Sequence, residues 1–268
     1  MLRFRVLAIA VGIAGGAFVA ARAIESKTAT DPVAPTPVLV ELFTSEGCSD
    51  CPPADAVLAR LVDEQPVAGA QVIALGEHVD YWDRMGWKDR FSSVSLTSRQ
   101  QVYGVHFNLD SVYTPQIVVD GRAQLVGSDD RAARKAIERE AKSLHAAVSL
   151  TLESVSDRAA AVAVTVANLP RAARGDRVDV HVAVTEDHVT TEVKRGENGG
   201  RTLHHTAVVR SLTTIGQADA DGRAPARAEI PLGADWRRDQ LKVVAFVQEQ
   251  RGRAILGSAA LPLQTARR

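Results

Sequence analysis

Apolar runs of strand length alternate with segments of helical period over the first half of the chain. The helical segments repeat their apolar residues every three or four positions, as Val57, Leu58 and Leu61 do, which is the spacing of one helix face. In chain order the pattern predicts strand 38–43, a helix that begins near Pro52, strand 71–75, helix 94–105, strands 117–119 and 124–126 joined by a tight turn at Asp120-Gly121, and helix 129–144. This order indicates an α/β domain over residues 37–145.

The pattern changes near residue 146 to short alternating strands separated by polar turns. The predicted strands are 148–152, 161–166, 178–185, 201–212, 226–230, 241–248 and 255–261. Short strands at this spacing, with hardly any helical period, are typical of a β-sandwich. We therefore predict an all-β, sandwich-like domain over residues 146–268.

The amino terminus has the pattern of an export signal. Arg3 and Arg5 precede an uncharged, mostly apolar stretch, and Ala21-Arg22-Ala23 is a small-residue cleavage site. We predict a cleaved signal peptide over residues 1–23 and a flexible lead-in over 24–36. The alternative is a retained anchor, but the stretch is shorter than the roughly 20 apolar residues of a membrane span. The mature protein is expected in the periplasm or outside the cell, without stable membrane insertion.

Charge and motifs exclude several classes of function. The chain has 32 basic and 32 acidic residues, and removal of residues 1–23 leaves 29 basic against 32 acidic. This balance gives no basic surface for nucleic acid. The sequence also lacks a glycine-rich phosphate loop, a His-Glu-x-x-His zinc motif and a Gly-x-Ser-x-Gly nucleophile elbow.

The two cysteines of the chain, Cys48 and Cys51, lie between the first predicted strand and the first predicted helix. An oxidising compartment lets such a pair form a disulfide, but so short a loop restricts the unfolded chain little, so stability is a poor reason for it. A helix amino terminus favours the thiolate. A thiolate at Cys48 can attack a disulfide that Cys51 then resolves. The spacing also occurs in half of many zinc sites, so a metal site stays open at this point.

A Thr-Pro dipeptide, Thr114-Pro115, stands directly before a later strand. Together with the element order around the cysteines, this arrangement resembles the thioredoxin fold. The resemblance implies a cis peptide bond before Pro115 and a substrate groove shaped by Thr114 and Pro115. The predicted function is thiol-disulfide exchange on a protein or small-thiol substrate, with an electron donor that the sequence does not identify.

Four stretches extend the resemblance over most of the chain: "ELFTSEGCSDCPPAD", "EHVDYWDRMGWKD", "VYTPQIVVDG" and "GENGGR". In combination they are similar to one uncharacterised family of exported bacterial proteins, catalogued as a domain of unknown function with a thioredoxin-like region. The resemblance implies the fold and export. It supplies no substrate.

Two nearby side chains are candidates for tuning the site or binding substrate. Asp50 lies between the cysteines, where its carboxylate opposes a thiolate at Cys48, so we expect a reducing or intermediate potential rather than that of a strong oxidant. Trp82 lies in the aromatic loop that follows the second strand. It is interpreted either as a wall of the substrate groove or as part of a packed insertion.

His78 and Asp80 have the spacing at which Asp80 would orient the imidazole. If His78 reaches the sulfurs, it would assist deprotonation of a thiol or complete a copper site with Cys48 and Cys51, since soft thiolates with imidazole suit that metal. The main interpretation requires no metal and no cofactor. A further alternative is a binding module in which the disulfide stays closed.

The stretch Gly196-Glu-Asn-Gly-Gly-Arg201 is predicted to form a hairpin turn, because Asn-Gly supplies the positive φ angles of a type I′ turn. Its charged residues Glu197 and Arg201 are candidates for docking onto the first domain and covering the dithiol. His204 and His205 follow on opposite faces of a strand, so we expect no paired metal site there.

Overall fold

A computed structural model describes residues 34–170, 176–218 and 226–263. The signal peptide predicted over residues 1–23 lies outside the described residues, as does most of the predicted lead-in. The described residues belong to one compact unit. Across the described ranges, no helix has the length and apolar character needed to cross a membrane.

Most elements lie within a few residues of the positions that the pattern predicts. The strands are β1 (Thr36–Thr44), β2 (Ala70–His78), β3 (Gln116–Val119), β4 (Ala123–Val126), β5 (Ala147–Val155), β6 (Ala159–Ala167), β7 (Val178–Glu186), β8 (Val189–Glu192), β9 (Thr202–His205), β10 (Val208–Gln217), β11 (Ala226–Pro231), β12 (Leu241–Glu249) and β13 (Ile255–Pro262). The α-helices are α1 (Pro52–Glu64), α2 (Val94–His106) and α3 (Asp130–Glu140), and a 3-10 helix covers Arg238–Gln240. The strand predicted over 201–212 is two strands, β9 and β10.

Local chemistry explains where the helices begin. Pro52 and Pro53 fit the first turn of α1, where backbone N–H groups have no partner within the helix. Ser93 caps α2 by accepting a hydrogen bond from the backbone N of Leu96. Asp129 caps α3, and its carboxylate lies 2.9 Å from the backbone N of Ala132.

The main sheet has eight strands in the order β13-β12-β7-β10-β2-β1-β3-β4. It is mixed, because β1 and β2 are parallel whereas β1 pairs with β3, and β7 with β12, in antiparallel register. Four strands of the carboxyl-terminal half and four strands of the amino-terminal half lie side by side in one continuous sheet. The prediction of a thioredoxin-like α/β domain followed by an all-β sandwich is therefore wrong.

The junction between the two halves lies where β10 meets β2, at the pair Val208 and Gly76. Gly76 donates its backbone N–H to the carbonyl of Ala207 at 2.7 Å. A Cβ at Gly76 would lie 2.9 Å from the carbonyl oxygen of Thr206, so this approach requires glycine. Hydrophobic periodicity reports the conformation of each strand but not its neighbour, which is why the pattern did not reveal the joined sheet.

Apolar layers cover both faces of this sheet. Helices α1 and α3 pack on β1, β2 and β3 through residues such as Val40, Leu58 and Ile137. The separate three-stranded sheet β11-β6-β5 packs on β7 and β12, with Val162 against Val180 in one cluster. On the opposite face of the sheet, a third cluster of apolar side chains joins β1, β2, α2 and β12.

The fold brings three segments to the carboxyl ends of β1 and β2. Since parallel strands end at the same edge of a sheet, the cysteine segment after β1 lies beside the aromatic loop after β2. The third segment is the small antiparallel sheet of β8 and β9, which precedes β10. The sheet junction therefore positions a C-terminal hairpin beside the cysteines.

We predict that Gly76→Ala lowers the free energy of unfolding by about 1–3 kcal/mol, because the added methyl group meets backbone atoms, which cannot move aside as a side chain can. The midpoint of urea unfolding measures this change. Gly216→Ala in β10 is the control, since its methyl would meet the Cβ of Ala226 at 3.2 Å rather than a carbonyl. Equal effects of the two substitutions would show that the junction is not sterically constrained.

Candidate functional site

Cys48 and Cys51 form a disulfide at the amino terminus of α1, and their Cα atoms are 5.4 Å apart. Cys51 is the N-cap residue of the helix, and its carbonyl accepts hydrogen bonds from the backbone N of Ala54 and Asp55. The pair thus lies at the start of the first helix, as the sequence pattern predicts.

The two sulfur-bearing residues are shielded from solvent. Cys48 is 1% exposed and Cys51 is 0% exposed, whereas Ser49 and Asp50 between them are exposed. The carboxylate of Asp50 is therefore in water at the tip of the loop. A reagent can reach the disulfide only after neighbouring groups have moved.

Trp82 connects the cysteine segment to the predicted groove residues. Gly47 precedes Cys48, and a Cβ at Gly47 would lie 3.1 Å from the Cβ of Trp82. Trp82 therefore packs directly beside the cysteine segment. The indole Nε1 donates to Thr114 Oγ1 at 2.8 Å. The structure therefore brings Trp82 and Thr114 together beside the cysteines.

The Thr114-Pro115 peptide bond is cis, as the resemblance implies. Pro115 is buried and lies near the first turn of α1, because a Cβ at Gly127 would be 3.0 Å from both Pro115 Cβ and Ala54 Cβ. The role of Thr114 and Pro115 in binding substrate stays a prediction.

Asn198 holds the cysteine segment from the other half of the chain. Its side-chain amide, which is 0% exposed, donates to the carbonyl of Cys48 at 2.9 Å and to the carbonyl of Glu46 at 3.0 Å. Arg201 Nη1 donates to Asn198 Oδ1 at 3.0 Å, which orients the amide. Arg201 thus acts on the cysteine segment through Asn198.

Glu197 contacts the loop directly, since its Oε2 accepts a hydrogen bond from the backbone N of Ser49 at 3.0 Å. The positive φ angles in this turn belong to Gly196 and Gly200. The predicted type I′ turn at Asn198-Gly199 is therefore wrong. The asparagine serves instead as a side-chain donor to the cysteine segment.

His78, the last residue of β2, is buried, and its Nδ1 lies 2.6 Å from Asp89 Oδ2. Asp80 does not orient it, because Asp80 Oδ1 accepts a hydrogen bond from Thr97 Oγ1. Burial would raise the pKa of Asp89, but His78 and two backbone N–H donors lower it. Asp89 thus takes the role that the spacing assigned to Asp80.

Glu46 ties the aromatic loop to the cysteine segment. Its Oε2 accepts a hydrogen bond from Trp87 Nε1 at 2.7 Å, and its backbone N donates to Asp89. Its other carboxylate oxygen, Oε1, lies 3.6 Å from His205 Nε2.

His205 of β9 lies between two buried carboxylates. Its Nδ1 is 3.5 Å from Asp55 Oδ2, opposite the contact with Glu46. Burial alone would lower the pKa of His205, but the carboxylates of Asp55 and Glu46 outweigh it and raise the pKa to about 10. His205 is therefore cationic at neutral pH.

The copper alternative requires Cys48, Cys51 and His78 to surround one ion. Among the described residues, no group of three or more histidine, cysteine or acidic side chains is arranged to hold a metal. His78 is instead committed to Asp89 on the one ring nitrogen that has a hydrogen-bond partner.

The family described as "Protein of unknown function (DUF1223)" matches residues 39–248, most of the sequence. The chain belongs to the DUF1223 family. This confirms the resemblance to a domain of unknown function, but not its thioredoxin-like part. A comparison with curated proteins found no match.

Two solved structures resemble this DUF1223 chain over nearly its whole length. An Agrobacterium tumefaciens protein solved by X-ray crystallography is 28% identical, with a TM-score of 0.63, over 87% of this chain and 97% of its own. HBP35 of Porphyromonas gingivalis is 17% identical, with a TM-score of 0.65, over 88% of this chain and 79% of its own. The likeness to HBP35 concerns the fold alone.

The sequence pattern does not predict Asn198 and His205 as parts of the site. Asn-Gly is a strong turn signal, so the pattern predicts only a turn residue at Asn198. His205 shares the inward face of β9 with Leu203, as alternation in a strand requires, while His204 is exposed. That alternation was the available signal, but it does not reveal which carboxylates lie opposite.

We predict that Asn198→Ala lowers the free energy of unfolding by about 1–3 kcal/mol, because the carbonyls of Glu46 and Cys48 each lose a hydrogen bond from a buried donor. Urea unfolding of the oxidised DUF1223 protein measures the change. Glu197→Gln, which keeps an acceptor at the exposed neighbouring position, is the matched control and is expected to stay within about 0.5 kcal/mol of wild type. If the two variants were equally stable, Asn198 would not hold the cysteine segment.

Proposed function

We propose that this DUF1223 protein is an exported thiol-disulfide oxidoreductase whose reactive group is the Cys48–Cys51 pair. The proposal rests on one observation. A disulfide that closes a loop too short to stabilise the fold lies at a helix amino terminus, covered by side chains from distant parts of the chain. Those side chains hold the cysteine segment from both neighbouring loops. A local staple would not require them.

In the proposed reaction the reduced protein attacks a substrate disulfide. The Cys48 thiolate forms a bond to one substrate sulfur, the substrate S–S bond breaks, and the leaving thiolate takes up a proton. Cys51 then loses its proton and attacks Cys48, which closes the protein disulfide and releases the second substrate sulfur. The substrate gains two electrons and two protons, and an exported dithiol donor must return them to the protein.

The surroundings of the pair support this chemistry. The free N–H groups and dipole at the start of α1 favour negative charge at a cysteine. Trp82 and Thr114 contact each other beside the segment, and we assign the substrate groove to them and Pro115. Glu197 and Asn198 bind the backbone of Ser49 and Cys48, so substrate must displace them or bind after they have moved away.

Substitution of the two cysteines separates their roles. We predict that Cys48→Ser abolishes reduction of insulin disulfides, while Cys51→Ser accumulates mixed disulfides with substrate because the resolving thiol is gone. Turbidity of precipitating insulin B chain and intact-protein mass measure the two outcomes. Ser49→Ala, at the exposed loop tip, is the control with turnover retained. Normal turnover in Cys48→Ser would refute the function.

The potential of the pair tests the role assigned to Asp50. Because an adjacent anion disfavours the thiolate, we expect Asp50→Asn to raise the reduction potential, by less than about 30 mV since the carboxylate is in water. Equilibration with glutathione buffers followed by alkylation and mass measurement gives the value. A wild-type potential as high as about −120 mV, or a lower potential in Asp50→Asn, would contradict this role.

The burial of both sulfurs favours a second candidate, a binding module whose disulfide stays closed. The discriminating experiment is mild thiol reduction of the native protein, followed by alkylation and mass measurement. Two alkylated cysteines with the fold retained support the oxidoreductase. A pair that resists until the protein unfolds supports the binding module.

A further inference from the structure

His205 belongs to the same structural unit as the side chains that cover the disulfide. This unit, which we name the shielding hairpin, comprises β8, β9 and the turn between them, residues 189–205. The turn carries Glu197 and Asn198, which bind the backbone of Ser49 and Cys48. The last residue of β9 is His205.

His205 joins the hairpin to both sides of the cysteine segment. Its two ring nitrogens lie 3.6 Å from Glu46, two residues before Cys48, and 3.5 Å from Asp55, four residues after Cys51. Neither ring nitrogen makes a hydrogen bond, and the residue is only 3% exposed. The contact is therefore one of opposite charges held out of water, where attraction is strong.

Several other titratable or charged groups lie near His205. They include His78, whose ring is 4.8 Å away, Asp89, which contacts His78, Asp187, which accepts a hydrogen bond from the backbone N of Ala207, exposed His204, and Arg90 and Arg210, which lie over the ring of Phe91. The remaining oxygens of the two carboxylates bind neutral donors, Trp87 and Thr44. An unprotonated His205 would leave Glu46 and Asp55 buried without their cation.

We infer that His205 is a positioning residue that holds the shielding hairpin over the disulfide, so that loss of its proton opens the way to Cys48. The inference rests on the proposed function and names protonation as the control of access to the same site. It assigns to the carboxyl-terminal half of the chain the task of gating the cysteines in the amino-terminal half.

The sign of the pH effect follows from the raised pKa. His205 has a pKa of about 10 with the hairpin closed and regains a value near 6.5 if the hairpin opens to water. Its stabilisation of the closed state is complete below pH about 6.5 and is lost as pH rises toward 10. Between these limits, each pH unit multiplies the open population about tenfold.

The test measures how fast a water-soluble phosphine reduces the disulfide of the full folded protein between pH 7 and 9.5. The phosphine attacks one sulfur, the S–S bond breaks, and water supplies the oxygen of the phosphine oxide while two thiols form. Each rate is divided by that of oxidised glutathione at the same pH, which removes the pH dependence of the reagent. Alkylation and mass measurement count the released thiols.

We expect the normalised rate of wild type to rise about tenfold per pH unit. His205→Gln is expected to react at least tenfold faster than wild type at pH 7.5 and to lose this slope. His204→Gln, on the exposed face of the same strand, is the matched control with wild-type behaviour. If circular dichroism shows that His205→Gln is unfolded, Asp55→Asn replaces it and should shift the rise to lower pH.

The outcomes separate this inference from the proposed function. If a folded His205→Gln, or Asp55→Asn in its place, keeps the wild-type rate and slope, the inference is overturned even when insulin reduction is normal. If the predicted phosphine rates are observed but neither wild type nor any variant reduces insulin, the inference about His205 holds and the proposed oxidoreductase function is refuted.

Discussion

The close approach of β10 to β2 at Gly76 is the constraint on which the rest of the architecture depends. Without a side chain at this position, the backbone of 206–208 reaches the strand edge, and Gly76 bonds to Ala207. That pairing joins two groups of strands into one eight-stranded sheet. It also brings β9, which ends three residues before Val208, against the carboxyl end of β2, where His78 meets His205.

Buried ionisable groups lie on both faces of the sheet toward the carboxyl ends of β1 and β2. On the face toward α2, Glu41 accepts hydrogen bonds from Arg99 and Tyr103, each at 2.6 Å. Burial, and then the neighbouring Glu41, raise the pKa of Glu77 well above its usual value, against the lowering effect of Arg99. On the opposite face, His205 balances Glu46 and Asp55. The carboxyl ends of β1 and β2 are therefore polar inside as well as at the surface.

The sequence was informative where structure is decided locally. The period of apolar residues located the helices and strands, Pro52 and Pro53 indicated the start of α1, and the cysteine spacing indicated a pair at that helix end. It was not informative where contacts span long separations. Glu41 and Glu77 lie within apolar strands and gave no sign of the cation opposite them. Asn198 contacts Cys48 across 150 positions, and no local pattern records such a contact.

The separation between Asn198 and Cys48 also sets an order of assembly. A chain made from its amino terminus completes the cysteine segment and α1 long before β9 exists. During that interval the two cysteines have none of the cover that Glu197 and Asn198 provide. The cover over Cys48 and Cys51 can therefore form only after residues 189–205 have been made.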